Sequence, residues 1–394
     1  MSEADDDGDD ERYDLAVVGL GAFGSAVAFH ATRLGLRVLG IDRHDPPHTM
    51  GSTHAETRIT RLAVGEGPQY LPLVARSHEI WRALEAETGV PLLHECGGLI
   101  IASDSAAEAE RWTDFVGVTD RIAAEAGIDF RVLESDAVRA EFPMLHPAPD
   151  EKAGNEPTAG LVMCEDAVRV QLDLARAGGA TIRTNETVTA LEPDDRGVTV
   201  RTDAGVHLAD RVIATTGPWT PELAAPVDGE PLEVTRQLVV WYEVDELDAW
   251  TTANHPFVMW IAEDIADYVA LFPSPPGGTP GLKTVSEQFS TFCTPDSAER
   301  TVNEAEILDL HTRLLAHRVS GVTPRAIRAE ICLYTNTPDE HFLIDDHPDS
   351  PRITTVSACS GHGFKHSTAI GEALAQQVAT GTSTLNLEPF RRRG

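Results

Sequence analysis

The chain has 394 residues, 42% of them hydrophobic, and carries 63 Asp and Glu against 31 Lys and Arg, for a formal net charge of −32. A surface this acidic repels nucleic acid and anionic membranes, so neither is an expected partner. The length suits two domains or one large discontinuous one.

Only Lys152, Lys283 and Lys365 are lysines; arginine supplies every other cationic side chain of the Lys/Arg set. Excess carboxylate with scarce lysine is the composition expected in a high-salt cytoplasm, where self-repulsion is screened over a Debye length of roughly 3 Å at 1 M salt. A lysine kept against that background is a candidate for function. The five cysteines (Cys96, Cys164, Cys293, Cys332 and Cys359) are odd in number, widely spread and without a CxxC pair. Neither a disulfide framework nor a metal site is therefore expected.

Residues 1–11 read as a disordered acidic tail, the opposite of a signal-peptide start. "YDLAVVG" is a continuous apolar run of the kind buried in a parallel sheet. "GLGAFG" follows, setting Gly19, Gly21 and Gly24 in the G-x-G-x-x-G pattern, then a helix to Gly35 and a second strand ending at Asp42. The glycines allow a tight turn and close approach of backbone to a pyrophosphate, the helix N-terminus attracts the phosphate, and Asp42 can bond a ribose hydroxyl. The unit predicts a dinucleotide and does not separate NAD from FAD. Residues 15–36 are apolar enough to imitate a membrane span, but four glycines, His30 and Arg33 interrupt them.

In "GSTHAETRITRLAVGEG", residues 51–67, His54, Thr57, Arg58 and Arg61 lie close together. Arg58 and Arg61 share a face if the segment is helical, and arginine pairs bidentately with carboxylates. The alternative is solvated surface. Helices are predicted over 70–88, from apolar positions at Leu73, Val74, Trp81 and Leu84, and over 105–126, each ending at a glycine. Residues 180–217 read as short strands with a turn at "DDRG" and a buried end in "RVIATTGPW". Residues 231–335 read as strand-rich, broken by the loop 273–281, after which Lys283 stands alone.

In "IRAEICLYTNTPDEH", residues 327–341, Ile327, Ala329, Ile331 and Leu333 alternate with Arg328, Glu330, Cys332 and Tyr334. Cys332 thus lies opposite the main apolar set, either as an inert packed thiol or as a reactive one. The chain closes with a strand, the loop "SGHGFKHS" and a helix. That loop offers backbone N–H groups, a helix N-terminus and Lys365 to an anionic reduced flavin or a substrate carboxylate. Glycine loops at both ends point to one cofactor domain built from terminal pieces, with a second domain inserted. The expected class is α/β (α+β).

These segments together resemble the monomeric sarcosine oxidase and N-methyltryptophan oxidase family of FAD-dependent amine oxidases, within the D-amino acid oxidase superfamily. The likeness runs in order from about residue 12 to 385 and is most specific in "DPPHTMGSTHAETRITR", "ICLYTNTPDEHFLIDDHP" and "SGHGFKHS". It implies a discontinuous Rossmann-like FAD-binding domain (12–90, 156–230 and 325–394) and a substrate domain with a mixed β-sheet (91–155 and 231–324). It implies that Gly19, Gly21, Gly24, Asp42, Arg43, Ser52, Thr57, Val188, Thr216, Gly217, Gly361, His362, Gly363, Phe364 and Lys365 contact FAD, which Cys332 would hold covalently through a thioether. Arg61 and Lys365 would bind the substrate carboxylate, Arg58, His54 and Tyr334 would stand beside the flavin, and Lys283 would activate oxygen. The implied reaction is oxidation of a secondary amine bearing a carboxylate to an imine and hydrogen peroxide, by a cytoplasmic monomer. A dehydrogenase passing electrons to a protein or quinone is the alternative. Two positions depart from the pattern: Ala270 replaces a pocket tyrosine and Glu287 a histidine, so a substrate larger than sarcosine, cyclic, or carrying a second cation becomes an option.

Overall fold

The computed structural model describes residues 12–103, 114–222, 230–262 and 265–392. The expected acidic tail and the first part of the helix predicted over 105–126 lie outside them; the described part is Phe115–Ala126, capped by the Asp114 side chain.

The apolar run Arg12–Val18 forms a strand whose Leu15, Ala16 and Val17 are fully buried. It pairs in parallel with Val38–Asp42 on one side and Val206–Ala214 on the other. Parallel neighbours need a crossover, which helix Ala22–Arg33 supplies. The eight-stranded sheet extends through Thr181–Thr184 at one side and, beyond Val206–Ala214, through Val198–Thr202 and Val188–Pro193 as well as Ser350–Ser357 and Leu343–His347. The predicted turn is present, with Asp194 N–H donating to Gly197 O at 2.8 Å. Helix Ser367–Thr380 crosses Ala22–Arg33 at a point where only small residues fit: a Cβ on Gly371 would stand 2.8 Å from the Ala26 carbonyl carbon. Close packing there aims both helix N-termini, and the glycine loops before them, at the same side of the sheet.

The second sheet runs in the order 322–336, 233–244, 282–286, 269–272, 257–261, 98–103, 151–156, 131–134. It is antiparallel except where Phe257–Ile261 meets Gly98–Ser103 in parallel, which makes it mixed. One face buries Trp250, Trp260, Tyr242, Leu271 and Leu314, each large apolar side chain contributing roughly 1.5–3 kcal/mol. A three-stranded sheet, 57–60, 160–163 and 93–95, completes the fold.

Four features differ from expectation. Thr57–Thr60 is a strand, so Arg58 and Arg61 share no helical face; its pairing with Gly160–Met163 outweighs a weak helical pattern. Glu304–Leu310 is a helix inside the strand-rich segment, started by an Asn303–Glu306 capping box. Ile327 is 47% exposed, because the apolar alternation runs beyond the buried part of the strand, which begins only at Ile331. Finally, Val322–Asn336 pairs along its length with Glu233–Val244, so the strand that carries Cys332 belongs to the second sheet and spans the expected boundary at 325. The predicted helix over 70–88 is present as Leu71–Thr88, ending on left-handed Gly89. No helix among the described residues is long and apolar enough to cross a membrane.

Candidate active site

A deep cavity is lined by residues of all three sheets. At one end stand Gly19, Gly21, Asp42, Arg43, Val188, Thr216 and Gly217, all predicted cofactor contacts. Gly19 has φ +87, and a Cβ there would meet Thr215 O at 2.6 Å, so only glycine lets the strand turn this tightly into the helix. Gly24 sits behind the wall, packed on Gly19 O. Asp42 orders the turn by accepting from Leu20 N–H at 2.7 Å and His44 N–H at 2.8 Å. Arg43 pairs with Asp296 at 3.3 Å and lies over the ring of Trp219, whose Nε1 donates to the same carboxylate at 3.0 Å.

Ser52, Thr335 and Ser357 line the cavity with buried hydroxyls that have no hydrogen-bond partner. Unpaired buried hydroxyls are costly. Together with the bare glycine turns they fit a long ligand rich in phosphate and hydroxyl groups.

Midway, Cys332 is buried with its sulfur 3.5 Å from Arg58 Nη2 and 3.4 Å from Ser52 O. Burial pushes a thiol up, but here Arg58 and His54 outweigh it and hold Cys332 below the usual range. His54, also buried, is pushed the other way: Cys332 and Glu330, the latter 2.9 Å from Nδ1, favour its charged form over the cost of burial. The pair is therefore biased towards thiolate and imidazolium.

Lys283, His54, Thr57 and Glu287 stand behind the cavity wall rather than on it. Lys283 Nζ donates to Ala55 O and Thr57 O, each at 2.7 Å, and to Thr57 Oγ1 at 3.0 Å. It clasps a turn in which Ala55 (φ 72) and Glu56 (φ 67) are both left-handed, a strain of about 1–3 kcal/mol for each non-glycine residue. Burial, then Arg58, brings its pKa down to about 7. The Phe272 ring, which lines the cavity, lies 4.3 Å from Nζ.

At the far end Arg61 and Lys365 meet on one carboxylate that the sequence reading passed over. Glu66 accepts from Arg61 Nη2 at 2.7 Å and from Lys365 Nζ at 3.0 Å. Burial raises the Glu66 carboxyl, but the two cations overwhelm it and hold it well below the carboxylate range. Two cations thus share the Glu66 carboxylate. The signal for Glu66 was its place between Gly65 and Gly67 in "GEG". The opposite wall is Met259, Tyr268, Ala270 and Phe272. Tyr268 was missed too: it lies two residues before Ala270, and strand side chains repeat every second residue on one face. Tyr334 lines this end as a neutral phenol, raised well above its usual pKa by burial and then by Glu287. Glu287 lies so close to Gly361 (φ +78) that a Cβ there would strike Glu287 Oε1. Gly361, His362, Gly363, Phe364 and Lys365 all face the cavity.

Residues 14–377 match the family described as FAD dependent oxidoreductase. A monomeric sarcosine oxidase of Streptomyces avermitilis is 35% identical over 379 residues, 94% of each chain. An N-methyl-L-tryptophan oxidase of Yersinia pestis is 33% identical over 383 residues, 96% of this chain and 98% of the relative. Among solved structures, the amino acid oxidase NikD in an open form superposes with a TM-score of 0.83 at 23% identity, covering 97% of this chain and 98% of that one; this likeness speaks for the fold.

Proposed function

The chain belongs to the FAD-dependent oxidoreductase family, alongside monomeric sarcosine and N-methyl-L-tryptophan oxidases, and from that premise we propose that it oxidises a secondary amine carrying a carboxylate, an N-alkyl or cyclic amino acid, with oxygen as acceptor. The observation that carries the reading is the meeting of Arg61 and Lys365, 2% and 5% exposed, from opposite ends of the chain. Two buried cations over one internal carboxylate form a carboxylate-binding end next to a dinucleotide-binding cavity.

The glycine turns, Asp42, Arg43, Ser52, Val188, Thr216, Gly217 and residues 361–365 would hold FAD, with Cys332 as its covalent attachment point. FAD, when bound, takes the electron pair of the substrate C–H bond and passes it to dioxygen. Arg61 and Lys365 clamp the substrate carboxylate and so fix which carbon faces the cofactor; such positioning accounts for much of a rate enhancement. Tyr334, held as a phenol, can donate to the substrate but cannot act as a base. Arg58 and His54 place positive charge beside the cofactor, and Lys283 places it where oxygen gains electrons. The first sheet with its helices serves as the cofactor half and the second as the substrate half, in a monomer of a high-salt cytoplasm.

The test is an amine panel scored without oxygen by bleaching of flavin absorbance, then repeated with oxygen and with an artificial acceptor. Bleaching by N-alkyl amino acids and peroxide in air are expected; a panel that bleaches nothing overturns the proposal. Cys332→Ser is expected to release its flavin on acid precipitation while the wild type retains it, read from the absorbance of pellet and supernatant. A wild type that releases its flavin sinks covalent attachment.

The room at Ala270 favours a substrate with a side chain. Ala270→Tyr is expected to lower kcat/KM for bulky N-methyl amino acids by roughly 10- to 200-fold relative to sarcosine, the range for overfilling a pocket that discriminates by size. Equal effects on both substrates would show that Ala270 does not set the pocket.

A further inference from the structure

Arg61 directly follows the strand Thr57–Thr60, yet the turn that carries it is seated on the second sheet and on helix Phe115–Ala126. Glu156 ends the strand Glu151–Glu156 of that sheet and is buried. Its Oε1 accepts from Leu62 N–H at 2.8 Å and its Oε2 from Ala63 N–H at 2.9 Å, and the Thr158 hydroxyl donates to Oε1 at 3.1 Å. Both oxygens accept, as an ionised carboxylate does. The Ala63 carbonyl in turn accepts from Arg61 Nη1, while Arg61 Nη2 reaches Glu66. The Arg61 guanidinium carbon lies 5.4 Å from the centre of the Phe115 ring. A Cβ on Gly65 would stand 2.8 Å from Phe115 Cζ and 2.5 Å from Thr119 Oγ1, so the turn rests directly on that helix. Burial raises the Glu156 carboxyl above its usual value despite the bonds it accepts and the charge of Arg61, the cation that faces it. A carboxylate is thus a costly acceptor for two backbone N–H groups. What it adds over a neutral one is a matched pair of acceptors and a negative charge beside the guanidinium. Glu156 lies outside the cavity lining and Arg61 within it, so Glu156 can act on a ligand only through Arg61 and its turn.

We infer that Glu156 is a positioning residue for substrate recognition: it fixes the turn 61–63 and so aims the Arg61 guanidinium into the cavity beside Glu66 and Lys365. The inference rests on the reading above that Arg61 binds the substrate carboxylate. The N–H groups of Leu62 and Ala63 belong to the two peptide planes that flank Leu62. Held on the two oxygens of one carboxylate, those planes cannot rotate independently. The bond from Arg61 Nη1 to Ala63 O then ties the head of the arginine to the turn that Glu156 holds. Glutamine in place of Glu156 has the same shape but offers one acceptor and one donor. One of the two N–H groups would lose its partner and face an N–H of the amide instead, and the guanidinium would lose the nearby negative charge. Binding of the substrate carboxylate is made alike in the ground state and the transition state, so its loss falls on KM more than on kcat.

The test is steady-state kinetics of the holoenzyme with two substrates, the best amino acid of the amine panel and its analogue lacking the carboxylate. Glu156→Gln is expected to raise KM for the amino acid about 10- to 100-fold, the size of losing one hydrogen bond to a charged group, with kcat changed less than about threefold. The analogue should keep its wild-type KM and kcat in the variant, a selectivity that a carboxylate serving only to hold the fold together would not produce. Glu156→Asp keeps both acceptors on a shorter arm and should lose less, again for the amino acid alone. It decides the matter if Glu156→Gln does not fold. Equal losses for both substrates, or no loss for either, overturn the role of Glu156. Arg61→Ala, measured with the same two substrates, separates the premise from the inference. If it still discriminates between them by the carboxylate, the failure belongs to Glu156 alone and the carboxylate reading stands. If Arg61→Ala keeps the wild-type difference between the two, or no amine of the panel bleaches the flavin, the premise and the inference fall together.

Discussion

Lys283→Met is expected to slow reoxidation of the reduced enzyme by oxygen about 10²- to 10³-fold, the usual cost of removing one preorganised group that stabilises developing negative charge, while anaerobic reduction by substrate changes little. The lysine is one of three in the chain, fully enclosed, and its charge is poorly solvated: burial and Arg58 bring its pKa down to about 7. A poorly solvated cation interacts strongly with charge that appears nearby. Methionine keeps the stem and its packing on Phe272 and Trp241 but removes three donated bonds to Ala55 and Thr57. The variant is therefore expected to loosen the strained turn at 55–56 as well, which thermal unfolding would record as a modest fall in Tm. Stopped-flow mixing of the reduced enzyme with oxygenated buffer separates the two half-reactions. Equal loss in both would assign Lys283 to holding the turn alone, and an unchanged oxygen reaction would remove it from oxygen chemistry.

Arg61→Ala is expected to lower kcat/KM for the amino-acid substrate by about 10²- to 10³-fold, since truncating one member of a buried hydrogen-bonded charge set costs about 2–5 kcal/mol. The structure sharpens the reason. With Arg61 present, two cations share the Glu66 carboxylate, and the proposed substrate carboxylate would join them there. Without it, Glu66 and Lys365 form a closed neutral pair, and the incoming carboxylate meets an anion. Arg61→Lys should recover only part of the loss, because an ammonium cannot reproduce the guanidinium fork. Steady-state kinetics with the best amine of the panel, and with its analogue lacking the carboxylate, provide the check. The difference between the two substrates should largely vanish in Arg61→Ala; if it persists at the wild-type size, Arg61 does not read the carboxylate.

Much of the cofactor end could be read in advance because its constraints are local. The strand, the turn at Gly19, the helix and Asp42 occupy one short stretch, and each is dictated by sterics and by hydrogen-bond needs of neighbouring residues. Periodicity likewise placed Cys332 on the face opposite Ile331 and Leu333, where it packs with Ala55, Val239 and Trp241 while they pack with Val234. Family resemblance named Arg61 and Lys365, and only the short "GEG" five residues beyond Arg61 hinted at Glu66, without showing that Lys365 shares it. Tyr268 escaped for another reason: a lost tyrosine was looked for at its own position, whereas a pleated strand offers the same face two residues away.

By itself, then, the sequence determined where the chain turns, which residues face inward and which few lysines stand out, since these follow from bond sterics, side-chain period and composition. Only the tertiary structure decided which distant faces meet. Parallel pairing of Arg12–Val18 with Val206–Ala214 and the close crossing of helices Ala22–Arg33 and Ser367–Thr380 bring the terminal glycine loops together. The pairing of Val322–Asn336 with Glu233–Val244 sets Glu330 and Cys332 in the sheet that faces His54. The charges that converge there and on Glu66 come from segments hundreds of residues apart, and electrostatic partnership depends on distance in space and on burial, neither of which a local pattern records.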